Sequence, residues 1–249
     1  MANLTQLKIL ENLNGFLLVD KPAGIAFASV VKAVKRKFNL VKVGHGGALD
    51  AMATGLFILL INDANKFVAD VMGADRSYEG TMRLGLKTST GDIHGVPLND
   101  SRLPSTAIDG GRLQAALSEF KGDIFQTEPR FCAFRREGSA DYSIVDTGEH
   151  TQFLTHIYRF AVGEIQKGAE DSEDETRLGF EVRATKSLIV RALVNDLGDA
   201  LGCGACLENL RRTRIGKFDV ADAIPFDRLL ETEMHDFAAC VMPLSRALL

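Results

Sequence analysis

Six consecutive apolar residues, Leu56-Phe57-Ile58-Leu59-Leu60-Ile61, limit what this chain can fold into more than any other stretch. The run has no polar alternate and is shorter than a core helix, so it is predicted as a strand covered on both faces. It is also the longest clean apolar run, far below the roughly 18 residues that a membrane helix needs. No membrane-spanning segment is expected. The N-terminal residues lack the basic start, apolar stretch and small-residue cleavage site of a secretory signal, and a cytoplasmic protein is expected.

Other elements follow from periodicity and punctuation. Gly15 to Val19 reads as a short buried strand, stopped by the turn Asp20-Lys21-Pro22-Ala23-Gly24. Val30, Val31, Val34 and Phe38 recur at helical spacing with Lys32, Lys35 and Arg36 off the stripe, giving an amphipathic helix with a basic outer face. Asn62-Asp63 is placed to cap a helix carrying Ala64, Phe67, Val68 and Val71. Tyr78, Gly80, Met82 and Leu84 alternate as in a half-exposed strand. Ser89 to Ser105 is rich in turn formers, and Asp109 then caps a helix with Leu113, Ala116, Leu117 and Phe120 on one side. Phe125 to His150 has no clear period, mixes arginines with phenylalanines, and is expected to be a long functional loop. Strand patterns return at Phe153 to Val162 and Gly179 to Ala184, and a helical stripe from Val190 to Leu201 ends at Gly202. This irregular interleaving predicts an α+β fold with a mixed, mostly antiparallel sheet in a single domain over residues 1–249.

The net charge is −4, which by itself argues against a nucleic-acid partner. Five carboxylates are concentrated in Glu170-Asp171-Ser172-Glu173-Asp174-Glu175, however, while Lys32, Lys35, Arg36, Lys37 and Lys42 cluster early and Arg211, Arg212, Arg214 and Lys217 late. Segregated charge of this kind is compatible with RNA. The four cysteines, Cys132, Cys203, Cys206 and Cys240, are too few for a disulfide scaffold. Cys203-Gly-Ala-Cys206 has redox or zinc spacing but no second ligand pair, so no metal is expected, and small residues at a helix end are the preferred reading.

The stretch Gly44-His45-Gly46-Gly47 ahead of Asp50 is neither a GxxxxGK[ST] loop nor a GxGxxG turn, which removes the nucleotide-binding readings. Taken alone, Asp50 is first a turn residue. It becomes a candidate nucleophile or base toward a sugar carbon only if a nearby cation keeps it ionised.

Several motifs in order then carry a resemblance. Asp20-Lys21-Pro22-Ala23-Gly24, the basic helix, and Gly44-His45-Gly46-Gly47-Ala48-Leu49-Asp50-Ala51-Met52-Ala53-Thr54-Gly55-Leu56 follow the pattern DKPxG, then GHTGxLDPxATGxL. Asp63 to Phe67, Arg76-Ser77-Tyr78, and Leu84-Gly85 with Thr88, Thr90, Asp92 and Gly95 extend the match, as do Arg191 to Gly198, Leu201 to Ala205 and Leu210-Arg211-Arg212-Thr213. The chain thus resembles the TruB family of bacterial tRNA pseudouridine-55 synthases. The resemblance implies the pseudouridine synthase fold, with an RNA-contacting insertion at about residues 125–150 and no C-terminal PUA domain. It implies Asp50 as catalytic aspartate, Tyr78 stacking on the target base and assisting proton removal from its C5, and Arg191 paired with Asp50. His45 would fill the gap left by the extruded uridine, Leu210 would line the base pocket, and Lys21 would join the substrate-binding set. Neither cofactor nor metal is implied, the partner is the T-arm of tRNA, and a monomer is the default.

The chain also departs from the family pattern. Gly46 replaces a threonine, Ala51-Met52 replaces proline plus a leucine-like residue, and Asn62 and Asn65 replace glycine and threonine. Glu128-Pro129 stands for two prolines, and Ile189 stands where the family places a tyrosine two residues before the arginine. The exchanges at Gly46 and Ala51 leave the loop backbone less restricted by its own residues. Ile189 and Gly46 motivate a rival reading, a tRNA-binding or tRNA-folding protein on the same scaffold with little or no catalysis. A thiol or zinc protein built on Cys203 and Cys206 is a third.

Overall fold

Leu56 to Ile61 are all 0% exposed, which is what an apolar run without alternation requires. The structure, a computed structural model of the chain, describes residues 13–98, 108–127, 132–135, 142–145, 152–167 and 176–247. In chain order the first elements are β1 (Gly15–Lys21), α1 (Phe27–Lys37), β2 (Val43–His45), β3 (Thr54–Ile61), α2 (Val68–Gly73) and β4 (Arg76–Leu84). There follow α3 (Gly110–Ser118), β5 (Gly122–Thr127), β6 (Cys132–Arg135), β7 (Tyr142–Val145), β8 (Gln152–Lys167), β9 (Thr176–Ala184), α4 (Val190–Leu201) and β10 (Ala205–Ile215). Short elements close the chain: β11 (Phe218–Asp219), β12 (Ile224–Pro225), α5 (Phe226–Glu231), α6 (Phe237–Cys240), β13 (Met242–Pro243) and α7 (Leu244–Ala247). The class is α+β with a mostly antiparallel sheet, as expected.

The chain divides into two compact units, one of residues 1–76 and 211–249, the other of residues 77–210. In the first, the strand order is β12-β1-β3-β10. β1 lies antiparallel to β3 from Gly15 opposite Ile61 to Lys21 opposite Gly55, and β2 pairs with the other edge of β3. Arg211 and Arg212 of β10 run parallel to Thr54 and Gly55. Phe16, Leu18, Leu56, Ile58, Leu60, Val71, Ile215 and Phe218 form one packed face of this sheet. On the other face Phe27 of α1 packs against Phe57 with ring centres 6.0 Å apart, and Phe38 stacks on Phe237 at 3.7 Å. Phe57, Phe38 and Phe237 are fully buried.

In the second unit the order is β10-β4-β9-β8-β5, with β8 antiparallel to both β9 and β5. Helices α3 and α4 pack on one another and bury Leu113, Leu117, Leu193, Val194 and Leu197. Phe160 joins Phe120 and Phe180 by edge-to-face contacts at 6.5 and 6.3 Å. Asp109 caps α3 by accepting from the Arg112 amide at 2.8 Å, as expected.

Four expectations need correction or extension. Asn62 does not cap a helix: it sits at φ 48°, a 3₁₀ turn over Asn62–Phe67 precedes α2, and its Nδ2 donates to Leu13 O at 2.9 Å. The amide of Asp63 is satisfied instead by Asn14 Oδ1 at 2.9 Å. Within the expected long loop, β5 runs to Thr127 and β6 and β7 pair antiparallel, while Glu128, Pro129, Arg130 and Arg136 lie outside the described residues. The acidic run from Glu170 to Glu175 lies outside them as well. The late basic cluster Arg211, Arg212 and Arg214, for which no element was predicted, lies on β10, a central strand. Among the described residues no helix is long and apolar enough to cross a membrane.

In α4, a Cβ added at Gly198 would strike the backbone of Gly204 and Ala205, so this helical glycine permits close approach. Alanine stabilises most helix interiors by about 1 kcal/mol over glycine. Here Gly198→Ala is expected to lower the unfolding free energy by about 1–3 kcal/mol, read from urea midpoints, because backbone cannot move aside.

Candidate active site

In the first unit, the turn after β1 and the loop before β3 are latched at one carbonyl. Ala51 O accepts from the Gly24 amide at 2.8 Å and from Lys21 Nζ at 3.2 Å. Lys21 is 0% exposed and also donates to Pro22 O at 2.8 Å and Ile25 O at 2.9 Å, so each of its ammonium protons meets a carbonyl. Burial is the chief cause that lowers the Lys21 pKa to about 8; the Asp50 carboxylate opposes the shift and the Arg212 guanidinium adds to it.

Two buried arginines take the carbonyls on the other side of Asp50. Arg212 donates from Nε to Leu56 O at 2.9 Å, from Nη1 to Ala48 O at 2.9 Å and from Nη2 to Gly47 O at 3.4 Å. Arg76 donates to Ala74 O at 3.0 Å, Met72 O at 3.2 Å and Gly46 O at 3.4 Å. Gly47 has φ +122°, and a Cβ there would lie 2.8 Å from Arg76 Nη2, so the loop needs glycine for both conformation and space. Leu49 and Ala53 are buried while Ala48 and Ala51 are exposed, which leaves Asp50 half-buried at the loop surface. The His45 ring lies 5.1 Å from Phe27 and 5.9 Å from Phe57, and its Nδ1 accepts from the Gly47 amide at 3.3 Å. Asp20 and Arg211 form a two-bonded ion pair at 2.7 and 3.0 Å.

In the second unit, Tyr78 is 8% exposed in β4 and Leu210 is 6% exposed in β10. Arg191, in the first turn of α4, donates to Thr90 O at 2.9 Å and lies 4.0 Å from Asp92 Oδ2. Asp92 is held in turn by Thr90 Oγ1 at 2.9 Å and the His94 amide at 3.0 Å. The residue before α4, Ile189, has its amide and carbonyl both taken by the buried Gln126 side chain, at 3.0 and 3.1 Å. Thr155 Oγ1 reaches the same amide oxygen at 3.4 Å.

Lys21, His45 and Asp50 therefore belong to the first unit, and Tyr78, Arg191 and Leu210 to the second. Arg76, Arg212 and Asp92 stood inside recognised motifs but were given no site role, and Gln126 was not singled out. That Arg212 and Gln126 are buried has no sequence signal, since a buried polar residue looks like a solvated one until its partners are seen. Cys203 and Cys206 are buried free thiols whose pKa values burial pushes up, that of Cys206 to about 11, which disfavours thiolate chemistry. Among the described residues no cluster of His, Cys, Asp or Glu is suited to a metal ion.

The description "TruB family pseudouridylate synthase (N terminal domain)" matches residues 35–187, the greater part of the chain. The chain belongs to the TruB family. A tRNA pseudouridylate synthase B C-terminal domain matches residues 191–249. Curated TruB relatives include the tRNA pseudouridine synthase B of Opitutus terrae, 36% identical over 95% of this chain and 95% of its own length. That of Burkholderia pseudomallei strain 668 is 37% identical over 87% of this chain and 69% of its own length. A Cbf5-Nop10-Gar1 complex contains a chain with the same fold, at TM-score 0.69 and 24% identity; this chain covers 63% of it and is itself covered to 97%.

The TruB departures at Gly46 and Ile189 have local explanations. A Cβ at Gly46 would run into Val71 Cγ1, so the space that a threonine needs is filled by α2. Ile189 is fixed through its backbone by Gln126 rather than through a side-chain hydroxyl. Gly46→Thr is expected to destabilise by about 1–3 kcal/mol. Val71→Ala should partly relieve it, with a coupling above about 0.5 kcal/mol in a double-mutant cycle by denaturant unfolding.

The Lys21 pKa sets a second expectation. Between pH 8 and 10.5 the unfolded chain holds this proton and the folded chain releases it, so the Lys21 contribution to stability rises with pH through that window. Below it, both states are protonated and the contribution is flat. Unfolding curves of wild type and Lys21→Met across this range should show the wild type alone gaining this increment.

Proposed function

We propose that this protein is a tRNA pseudouridine synthase acting on the T-loop uridine of the T-arm. The reaction breaks the bond between uracil N1 and ribose C1′, turns the base, and joins C5 to C1′. C5 loses a proton and N1 gains one, so the product is an isomer of the substrate and no electron acceptor is consumed. The observation that carries the reading is Asp50: a half-buried carboxylate on a loop whose flanking carbonyls are held by Lys21, Arg76 and Arg212. A carboxylate presented on a fixed backbone suits attack on the ribose or removal of a sugar proton, where placement within about 1 Å decides the rate.

The target nucleotide must leave its stack, at a cost on the order of a few kcal/mol. His45, already packed against Phe27 and Phe57, offers a preformed aromatic face to offset it. In this reading Tyr78 supplies a phenol to stack on the base, Leu210 an apolar contact, and Arg191 a guanidinium that favours an ionised carboxylate. The names of the curated relatives, each a tRNA pseudouridine synthase B, support the same activity.

Release of tritium from tRNA labelled at uracil C5 tests the proposal. Wild type should release it, and Asp50→Asn should lose roughly 10³-fold or more in single-turnover rate while still binding tRNA. Tight tRNA binding without release would make the protein a tRNA-binding or tRNA-folding factor instead.

A further inference from the structure

We infer that Arg212 is a positioning residue for Asp50, acting through the loop backbone and seconded by Arg76. The inference rests on the catalytic reading of Asp50. Arg212 is 1% exposed, and its planar fork joins three carbonyls on two pieces of chain: Leu56 O in β3 and Gly47 O and Ala48 O in the loop. Asp50 follows Ala48 by two residues, and on its far side Ala51 O is fixed by Lys21 and Gly24. The carboxylate is thus carried on a short span whose ends are both tied down by buried donors.

Hydrogen bonds must do this because the loop residues do not. Gly46 and Gly47 leave the backbone free on one side, and Ala51 stands where a proline would have fixed φ on the other. A guanidinium can satisfy several carbonyls in fixed directions at once, whereas an ammonium is a point donor on a flexible stem. Arg76 binds one loop carbonyl, Gly46 O, at a longer distance and four positions from Asp50. Its share is correspondingly smaller. With Arg212 buried and its donors turned to backbone, its effect should appear in the chemical step and not in RNA affinity.

The test uses the full chain with wild type, Arg212→Lys, Arg76→Lys and Asp50→Asn. Tritium release yields kcat and KM, filter binding yields tRNA affinity, and amide hydrogen exchange reports on Gly46 to Ala53. Arg212→Lys should lose roughly 10- to 100-fold in kcat with KM and affinity within about twofold, and Arg76→Lys should lose less. Exchange should rise in the loop and stay unchanged elsewhere. If Arg212→Lys does not fold, Arg76→Lys carries the test, with a kcat loss and loop-confined exchange expected. Wild-type kcat and loop protection in the folded arginine variants, beside an inactive Asp50→Asn, would overturn this inference and leave Asp50 catalytic. Full turnover in Asp50→Asn would overturn the catalytic reading itself and this inference with it.

Discussion

Taking a guanidinium out of water costs several kcal/mol unless its N–H groups find acceptors in the right directions, and Arg212 finds them in the backbone of β3 and of the Asp50 loop. Much of the first unit follows from meeting that condition. The parallel pairing of Arg211 and Arg212 with Thr54 and Gly55 brings the side chain to the loop. Gly55 has no Cβ, which leaves room for the Arg212 backbone to approach. Removing the fork would take these donors from Leu56 O, Gly47 O and Ala48 O together, so the loop conformation and the strand pairing are one arrangement.

A similar device operates in the second unit with a neutral group. Gln126 is 0% exposed and closes both hydrogen bonds of Ile189, two residues before Arg191, much as Arg212 holds Ala48 two residues before Asp50. In each case an ionisable side chain is presented by backbone held from beneath by a buried polar residue. At Ile189 and Ala51, where the family pattern has a tyrosine and a proline, main-chain atoms are held by the buried side chains of Gln126 and Lys21.

What could be read from the chain beforehand follows the same physics. The run Leu56 to Ile61, the stripe on α4 and the Asp109 cap are features in which side-chain chemistry and burial agree, and they were legible. β5 and β10 reverse that agreement. In β5, Phe125 is 72% exposed while Gln126 is buried, and in β10 Arg212 is buried between polar neighbours, so pattern reading places these segments outside the sheet. Asp50 itself was legible as a turn residue and acquired a chemical role only through resemblance. The cations that fix its loop come from Lys21, Arg76 and Arg212, and no local spacing links the last of these to a loop 164 residues earlier.

That separation bears on how the molecule is made. The first unit is built from both ends of the chain, with residues 77–210 inserted between them. A ribosome adding about 5–20 residues per second releases the Asp50 loop on the order of ten to thirty seconds before the strand that anchors it. Until then its carbonyls at Gly47 and Ala48 lack the Arg212 guanidinium, and β3 lacks its β10 neighbour at Thr54 and Gly55. The inserted unit waits for the same strand, because its β4 pairs with β10, so during synthesis neither unit is complete until β10 has been made.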